Sequence, residues 1–371
     1  MEIDKLLKSM VKKNISDLHF KVGSPPRFRL NGELHSVDSG KLTKEDLEKL
    51  VNLFINDEQK EKFAGEKEID VSYELLDVCR FRANIYKQKG TPAISLRIIP
   101  AKPRSFAELN LPVKVFEKLC GVKRGLILLS GVTGAGKTTT LNAMVNYMNE
   151  RFSYNIVTME DPIEFFHQDK KSSISQREIG TDTLSFSAAL EHALRQNPDV
   201  ICVGEMKTPE TIAAGLVAAE TGHLVLSTIH TVDTVQTISR IVDLYPPHLQ
   251  QPVRQQLANV LKAVVAQRLL PRIDAEGRIP ADEILILTSL IKKLILEGAT
   301  DKIYKALEGG KYYGMQTFDE SLFSLYKSGK IGIEEALENS TNPDELMLAI
   351  KGVKSGAGPE LKSRDIVIER E

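Results

Sequence analysis

The stretch Gly131-Val132-Thr133-Gly134-Ala135-Gly136-Lys137-Thr138 constrains this chain more than any other. It fits the phosphate-loop pattern G-x4-G-K-[ST]. A buried-strand run, Leu126-Ile127-Leu128-Leu129, stands directly before it, and the helical stripe Leu141, Met144, Val145 and Met148 directly after. A loop of this kind is launched by a strand and completed by a helix N-terminus, so the chain is committed to an α/β core. The glycines let the backbone wrap tightly, so that the amides of Gly134 to Thr139 point at phosphate oxygens, and the helix dipole adds positive potential. The motif assigns Gly131, Thr133, Gly134, Ala135, Gly136, Lys137, Thr138 and Thr139 to a bound nucleotide. Lys137 would reach the β and γ phosphates, and the Thr138 hydroxyl would ligate Mg²⁺.

The residues around the loop repeat the alternation of strand and helix. Asn155 to Met159, Val200 to Val203 and Leu224 to Ser227 read as strands, with a helix through Phe186, Leu190, Ala193 and Leu194 before the second of them. This order predicts a parallel sheet covered on both faces. From about residue 245 helical patterns dominate, and 356–371 reads as a polar, loosely ordered tail.

Hydrolysis needs acids near the phosphates. Val200-Ile201-Cys202-Val203-Gly204-Glu205 is an apolar strand ending in a carboxylate, the Walker B form, which places Glu205 on Mg²⁺, through its water shell. Glu160-Asp161-Pro162-Ile163-Glu164 ends another strand, and strand C-termini gather at the ligand crevice of such sheets, so its carboxylates are candidates for a general base. His223 and His230 flank the strand from Leu224 to Thr228. A histidine there is more often a hydrogen-bonded structural residue, but one beside the γ-phosphate could sense it. No HExxH and no paired cysteines support zinc.

The first hundred residues read as mixed α and β. A helix runs through Ile3, Leu6, Leu7, Met10 and Val11. Short strands follow at 18–22, 27–30, 70–75, 80–86 and 94–99. Thr43 and Asp46 form a capping box, and Asn31-Gly32 is a turn signal. Proline and polar content mark a linker over 101–112, which leaves 1–100 as one domain and 113–355 as another. Arg80, Arg82 and Arg97 lie on adjacent strands of the smaller domain. Phosphoryl transfer often needs an arginine delivered from a second domain or subunit, and a domain tethered ahead of the phosphate loop is a suitable carrier.

Composition narrows the class further. With 49 Lys+Arg against 50 Asp+Glu the net charge is −1, so no global field holds nucleic acid or an anionic membrane. The three cysteines, Cys79, Cys120 and Cys202, are too few and too far apart for a disulfide framework, which favours a reduced, cytoplasmic setting. No signal peptide and no run of about 18 apolar residues is present, so no membrane insertion is expected.

Together these pieces resemble the PilT family of pilus retraction motors, within the secretion ATPase superfamily. The resemblance runs from Ser16-Asp17-Leu18-His19 to Gly314-Met315-Gln316-Thr317-Phe318-Asp319. It carries four boxes in order: the phosphate loop; the aspartate box Thr158 to Glu164; Walker B from Asp199 to Glu205, preceded by Leu194-Arg195-Gln196-Asn197-Pro198; and the histidine box Thr221-Gly222-His223 through His230-Thr231. It implies a small PAS-like α+β N-terminal domain and a RecA-like P-loop ATPase domain with a helical C-terminal part. It also implies ATP and Mg²⁺ as ligands and a homo-hexameric ring. The location it implies is cytoplasmic, peripheral at the inner face of the cell membrane against a pilus platform protein. On that pattern Glu164 is the catalytic base, Glu205 the Walker B acid, Arg82 and Arg97 the leading arginine fingers ahead of Arg80, and His223 and His230 functional. One segment departs. Where the family carries an A-I-R-N-L-I-R-E-G-like helix, this chain reads Ser289-Leu290-Ile291-Lys292-Lys293-Leu294-Ile295-Leu296-Glu297-Gly298, with the Arg-Asn pair replaced by Lys-Lys. Leu290, Ile291, Leu294 and Ile295 would form its apolar stripe.

Three other readings are weaker. Extension and type II secretion motors of the same superfamily usually carry a longer N-terminal region and a four-cysteine metal site, which are missing here. A DNA motor on the same core would need a basic, aromatic-rich strip. A nucleotide-binding regulator without turnover would not need both Glu164 and Glu205.

Overall fold

The computed structural model describes residues 3–13, 15, 17–30, 33–75, 79–99 and 103–352. Ser16, the Asn31-Gly32 turn, residues 100–102 and the tail at 356–371 lie outside the described residues.

The N-terminal sheet contains β1 (Asp17–Lys21), β2 (Arg27–Leu30), β3 (Glu33–Ser36), β4 (Glu68–Leu75), β5 (Cys79–Gln88) and β6 (Thr91–Ile99). Its spatial order is β3-β2-β1-β6-β5-β4, and every pairing is antiparallel. One face carries the core. Along β5, Phe81, Ala83 and Ile85 are buried against Leu7, Met10, Leu47 and Phe54 of the helices Ile3–Lys12 and Lys44–Phe54. The period of two then turns Arg80, Arg82 and Asn84 to the other face. The expected capping box is formed: Asp46 N–H donates to Thr43 Oγ1 at 3.2 Å and Thr43 N–H to Asp46 Oδ2 at 2.9 Å. The helix Asp57–Glu66 and strand β3 escape the periodicity argument because they bury little. The helix buries only Phe63, and β3 is exposed throughout.

The second sheet contains β7 (Gly125–Ser130), β8 (Asn155–Glu160), β9 (Ser173–Glu178), β10 (Val200–Val203), β11 (Leu224–Ile229), β12 (Leu261–Pro271) and β13 (Arg278–Ile286), in the order β13-β12-β7-β11-β10-β8-β9. All pairings are parallel except the β12–β13 hairpin. Alternate residues of β7 enter different cores. Leu126 and Leu128 pack with the helix Pro209–Glu220 on one face, and Ile127 and Leu129 with Leu141, Met144 and Met148 on the other. That two-sided burial is why the strand reads as a continuous apolar run. Part of the expected linker is packed: Phe106 and Leu111 are buried with Phe116 and Ile127.

Beyond residue 245 helices dominate as expected, from Pro247–Val260 to Pro343–Ile350, but the unforeseen pair β12 and β13 interrupts them and extends the sheet past β7. A short, fully buried apolar run such as Ala263-Val264-Val265-Ala266 carries no period to separate strand from helix. In the helix Ser289–Glu297, Ile291, Leu294 and Ile295 are buried as expected, but Leu290 is 54% exposed. At 100° per residue it lies with Lys293 and Glu297 rather than with the stripe.

Candidate nucleotide site

The C-terminal ends of β7, β8, β10 and β11 open into one cleft of about 590 Å³. The phosphate loop leaves β7 at Gly131, whose φ is +145° and where a Cβ would stand 2.6 Å from the Gln267 carbonyl oxygen of β12. Only glycine fits there, both for its backbone angle and for that close approach. The helix Lys137–Arg151 then begins, and its first turn, with Thr138 and Thr139, lines the cleft.

Lys137 is buried, and its ammonium donates to the carbonyls of Gly131 at 2.8 Å and Val132 at 3.1 Å. Burial lowers its pKa, and the carboxylate of Glu205 opposes that shift. Lys137 Nζ is also 3.4 Å from His230 Nδ1, and His230 Nε2 is 3.2 Å from Glu205 Oε1. An ammonium can only donate, so an imidazole protonated at Nε2 satisfies both contacts. The second oxygen of Glu205 is 2.8 Å from Lys207 Nζ. The Walker B acid, His230 and the loop lysine thus form one line of contacts across three adjacent strand ends.

The acidic segment after β8 supplies carboxylates of different character. Glu160 is buried and accepts from Thr158 Oγ1 at 2.7 Å and Gln176 Nε2 at 3.0 Å, so it is an anchor of the strand end. Glu164 opens into the cleft. The protein walls around it still desolvate its carboxylate and push its pKa up, with Arg82 and Arg97 pulling it back.

Those arginines are directly opposite each other on β5 and β6. Like charges across a ladder repel. Each has an acid to answer it: Arg97 Nε donates to Asp17 Oδ1 at 2.8 Å, and Arg82 Nε is 3.6 Å from Asp70 Oδ1. The Arg97 side chain is 73% exposed and lines the same cleft as the phosphate loop. The N-terminal sheet therefore brings Arg97 to the cleft of its own chain. Arg80 is elsewhere: its guanidinium is 3.5 Å from Glu178 and lies over the Phe166 ring. His223 is not brought to the cleft either. It precedes β11, whose 6 residues at roughly 3.3 Å each put about 20 Å between it and His230. There its Nδ1 lies 2.9 Å from the Ala218 carbonyl.

The donor set suits a Mg²⁺–nucleotide. Thr138 and Glu205 line the cleft beside Lys137, and among the described residues no cluster of three His, Cys, Asp or Glu side chains would hold a metal alone. Hard oxygen ligands completed by phosphate are the usual setting for Mg²⁺. Sequence reasoning missed Lys207, Arg278, Gln176 and Glu178. Lys207 stands two residues past the Walker B acid and could have been found by position. Arg278 enters the cleft from the unforeseen β13, and Gln176 and Glu178 sit on β9, a polar edge strand with no apolar run to announce it.

The family model for type II/IV secretion system proteins matches residues 1–355. The chain is 43% identical over 321 residues to a twitching motility protein of Neisseria gonorrhoeae, covering 86% of each. It is 41% identical over 344 residues to the type IV pilus retraction ATPase PilT of Pseudomonas aeruginosa, covering 93% of this chain and 99% of that one. Among solved structures, the pilus retraction motor PilT with bound ADP aligns at a TM-score of 0.87 and 42% identity, over 94% of this chain and 99% of that one. The Legionella pneumophila ATPase DotB aligns at 0.74 and 26%, over 95% of both.

Proposed function

The chain belongs to the type II/IV secretion system protein family, among its PilT members, and from that premise we propose that it is an ATP-hydrolysing motor for type IV pilus retraction. The observation that carries this reading is the convergence of Lys137, Glu205, Glu164 and Arg97 on one cleft. The amides of Gly134 to Thr139 hold the phosphates, and Lys137 leaves the Gly131 and Val132 carbonyls to meet the β and γ charges. Thr138 and Glu205 would hold Mg²⁺, which would screen phosphate charge. Glu164 takes a proton from the attacking water, and its raised pKa makes it a better base. Arg97, which lines the cleft, faces the charge that develops on the transferred group, whereas Arg82 lines a neighbouring cavity with Asp70 and Asp161 and acts on Glu164. His230 bridges Lys137 and Glu205 and so stands where the presence of a γ-phosphate changes both contacts. The adjoining cavity of about 540 Å³, which shares Ala135, Gly136, Thr139 and Arg278 with the cleft, has room for the rest of the nucleotide.

The working form we assign is the homo-hexamer that the family resemblance implies, a closed ring, since a head-to-tail interface must close or grow into a filament. It acts in the cytoplasm against an inner-membrane platform protein. Among the described residues no helix is long and apolar enough to cross a membrane, so force would pass through protein contact. The exposed face of the helix Ser289–Glu297 is the contact we assign to that partner.

Two experiments test the reading. Lys137→Ala should abolish turnover, and Glu164→Gln should retain nucleotide while losing roughly 10²–10⁴-fold in hydrolysis. Wild-type turnover in Glu164→Gln would remove it from the role of base. In cells, deletion of the gene should leave an excess of immobile surface pili, whereas a bald cell would point to pilus assembly instead.

A further inference from the structure

Glu178 ends β9 and is buried, outside the wall of the nucleotide cleft. A single oxygen of its side chain serves two domains. Oε2 accepts from Ser72 Oγ of β4 at 3.0 Å and from the backbone N–H of Ile163 at 3.1 Å. Arg80 Nη2 of β5 is 3.5 Å from the same atom. Ile163 is the residue before Glu164. On the other side of Glu164, the Phe165 carbonyl accepts from Gln176 Nε2 at 2.8 Å, and Gln176 Oε1 accepts from the His167 N–H at 2.8 Å. The backbone on both sides of Glu164 is therefore gripped by side chains of β9. The grip on Ile163 is shared with the N-terminal domain through Ser72 and Arg80, and Arg80 also lies over the Phe166 ring on the other side of Glu164. A carboxylate this buried needs a facing cation as well as hydrogen bonds, and Arg80 is the cation that faces it.

We propose that Glu178 is a positioning residue that transmits the seating of the N-terminal domain to Glu164. When β4 and β5 rest on it, Ser72 and Arg80 hold its carboxylate where it captures the Ile163 amide, and the loop 161–167 presents Glu164 to the cleft. When that domain shifts away, Glu178 keeps Thr181 Oγ1 on Oε1 but loses its cation and the Ser72 hydroxyl on Oε2, and the grip on Ile163 loosens. Hydrolysis thus depends on domain seating while nucleotide binding, held by the phosphate loop, does not. The proposal rests on the reading of Glu164 as the base. It also gives Arg80 a role that does not require it to touch phosphate.

The test is a double-mutant cycle on the full chain, with steady-state hydrolysis of ATP and binding of a fluorescent ADP analogue as readouts. Arg80→Ala and Glu178→Gln should each lower kcat by about tenfold or more, since small misplacements of a reacting group cost this much. KM and the ADP-analogue Kd should stay within about twofold, the mark of an effect on the reacting state alone. Arg80→Lys should recover most of the loss. The Arg80→Ala/Glu178→Gln double variant should be no slower than the worse single variant, because both act through one joint. Losses that multiply would mean that Arg80 acts on its own, and wild-type kcat in Glu178→Gln would overturn the proposal. A second readout needs no turnover. Backbone hydrogen exchange over 160–168 should speed up in Arg80→Ala and in Ser72→Ala while exchange over 131–139 stays as in the wild type. Unchanged exchange over 160–168 also overturns the joint. A wild-type chain that binds the ADP analogue but hydrolyses nothing would sink the ATPase reading, and the exchange result would still decide on Glu178. Should Glu178→Gln fail to fold, the Ser72→Ala and Arg80→Ala arms remain decisive.

Discussion

Glu164 sits between two opposing influences, and the balance predicts a pH profile. The desolvating walls of the cleft raise its pKa, and Arg82 and Arg97 lower it. A base works only when ionised, so kcat should fall as the pH is lowered through this raised value. The acid limb should therefore lie above the usual carboxylate range of about 4.3. Removing a cation removes an opposing influence. Arg82→Ala should move the limb to still higher pH, whatever it does to the plateau. Rate profiles of the two proteins between acid and neutral pH decide the matter, and a limb that stays put or moves to lower pH would detach Arg82 from Glu164. His167 shows the same physics in a group without access to the cleft. Burial pushes its pKa down to about 4, and its Nε2 lies 2.7 Å from Asn142 Oδ1, so the ring is neutral and donates there.

At the scale of elements, the helix Ser289–Glu297 separates packing from partner contact. Ile291, Leu294 and Ile295 bury one side, while Leu290, Lys293 and Glu297 share the open side. The Lys293–Glu297 pair, at 3.8 Å and exposed at both ends, adds little stability. Lys293 is exposed and Lys292 half-buried, both outside the buried stripe, so Lys292→Glu with Lys293→Glu should leave the purified ATPase and its assembly near wild type, because charge changes outside the core usually shift stability by under about 0.5 kcal/mol. Twitching motility should be lost through repulsion at the platform contact. Normal motility in cells carrying the doubly reversed protein would return this helix to a purely structural role. The hairpin of β12 and β13 teaches the complementary lesson. Its polar members Gln267 and Asp282 bond to each other at 2.9 Å inside the sheet, and burial raises Asp282 to a pKa of about 7. A strand with that content does not advertise itself by hydropathy.

For the whole molecule, the decisive feature is that the small domain places Arg97 in the cleft of its own chain. Mixed assemblies test this directly. If the arginine and the phosphate loop belong to one subunit, rings of Lys137→Ala and Arg97→Ala chains contain no complete site and should show no recovery at any ratio, with mixing confirmed by mass. Recovered hydrolysis would mean that the arginine crosses to a neighbour. Within one chain, among the described residues, the small domain lines the nucleotide cleft with Arg97 and contacts Glu178 through Ser72 and Arg80. Rotation of that domain would therefore alter transition-state charge and base position together.

Local chemistry determined much of this before any folding. Gly131 to Thr138 needs no distant partner to be recognised, because its spacing, its glycines and its flanking strand and helix are all contiguous. Glu205 was legible for the same reason, closing an apolar run, whereas Glu164 was singled out among the carboxylates of Glu160 to Glu164 only by the family pattern. What contiguity could not decide was which side chains meet. His223 and His230 are equivalent by sequence, each flanking one strand. Only the direction of the parallel sheet sends His230 to Lys137 and Glu205 and leaves His223 at the far end. Arg80, Arg82 and Arg97 are likewise alike in sequence. The pairing of β5 with β6 puts two of them opposite each other near Glu164, while the domain contact ties the third to Glu178. Charge and spacing are properties of the chain. Proximity between residues about a hundred positions apart arises only when sheets close over a common core, and there the tertiary structure alone decided which side chains meet.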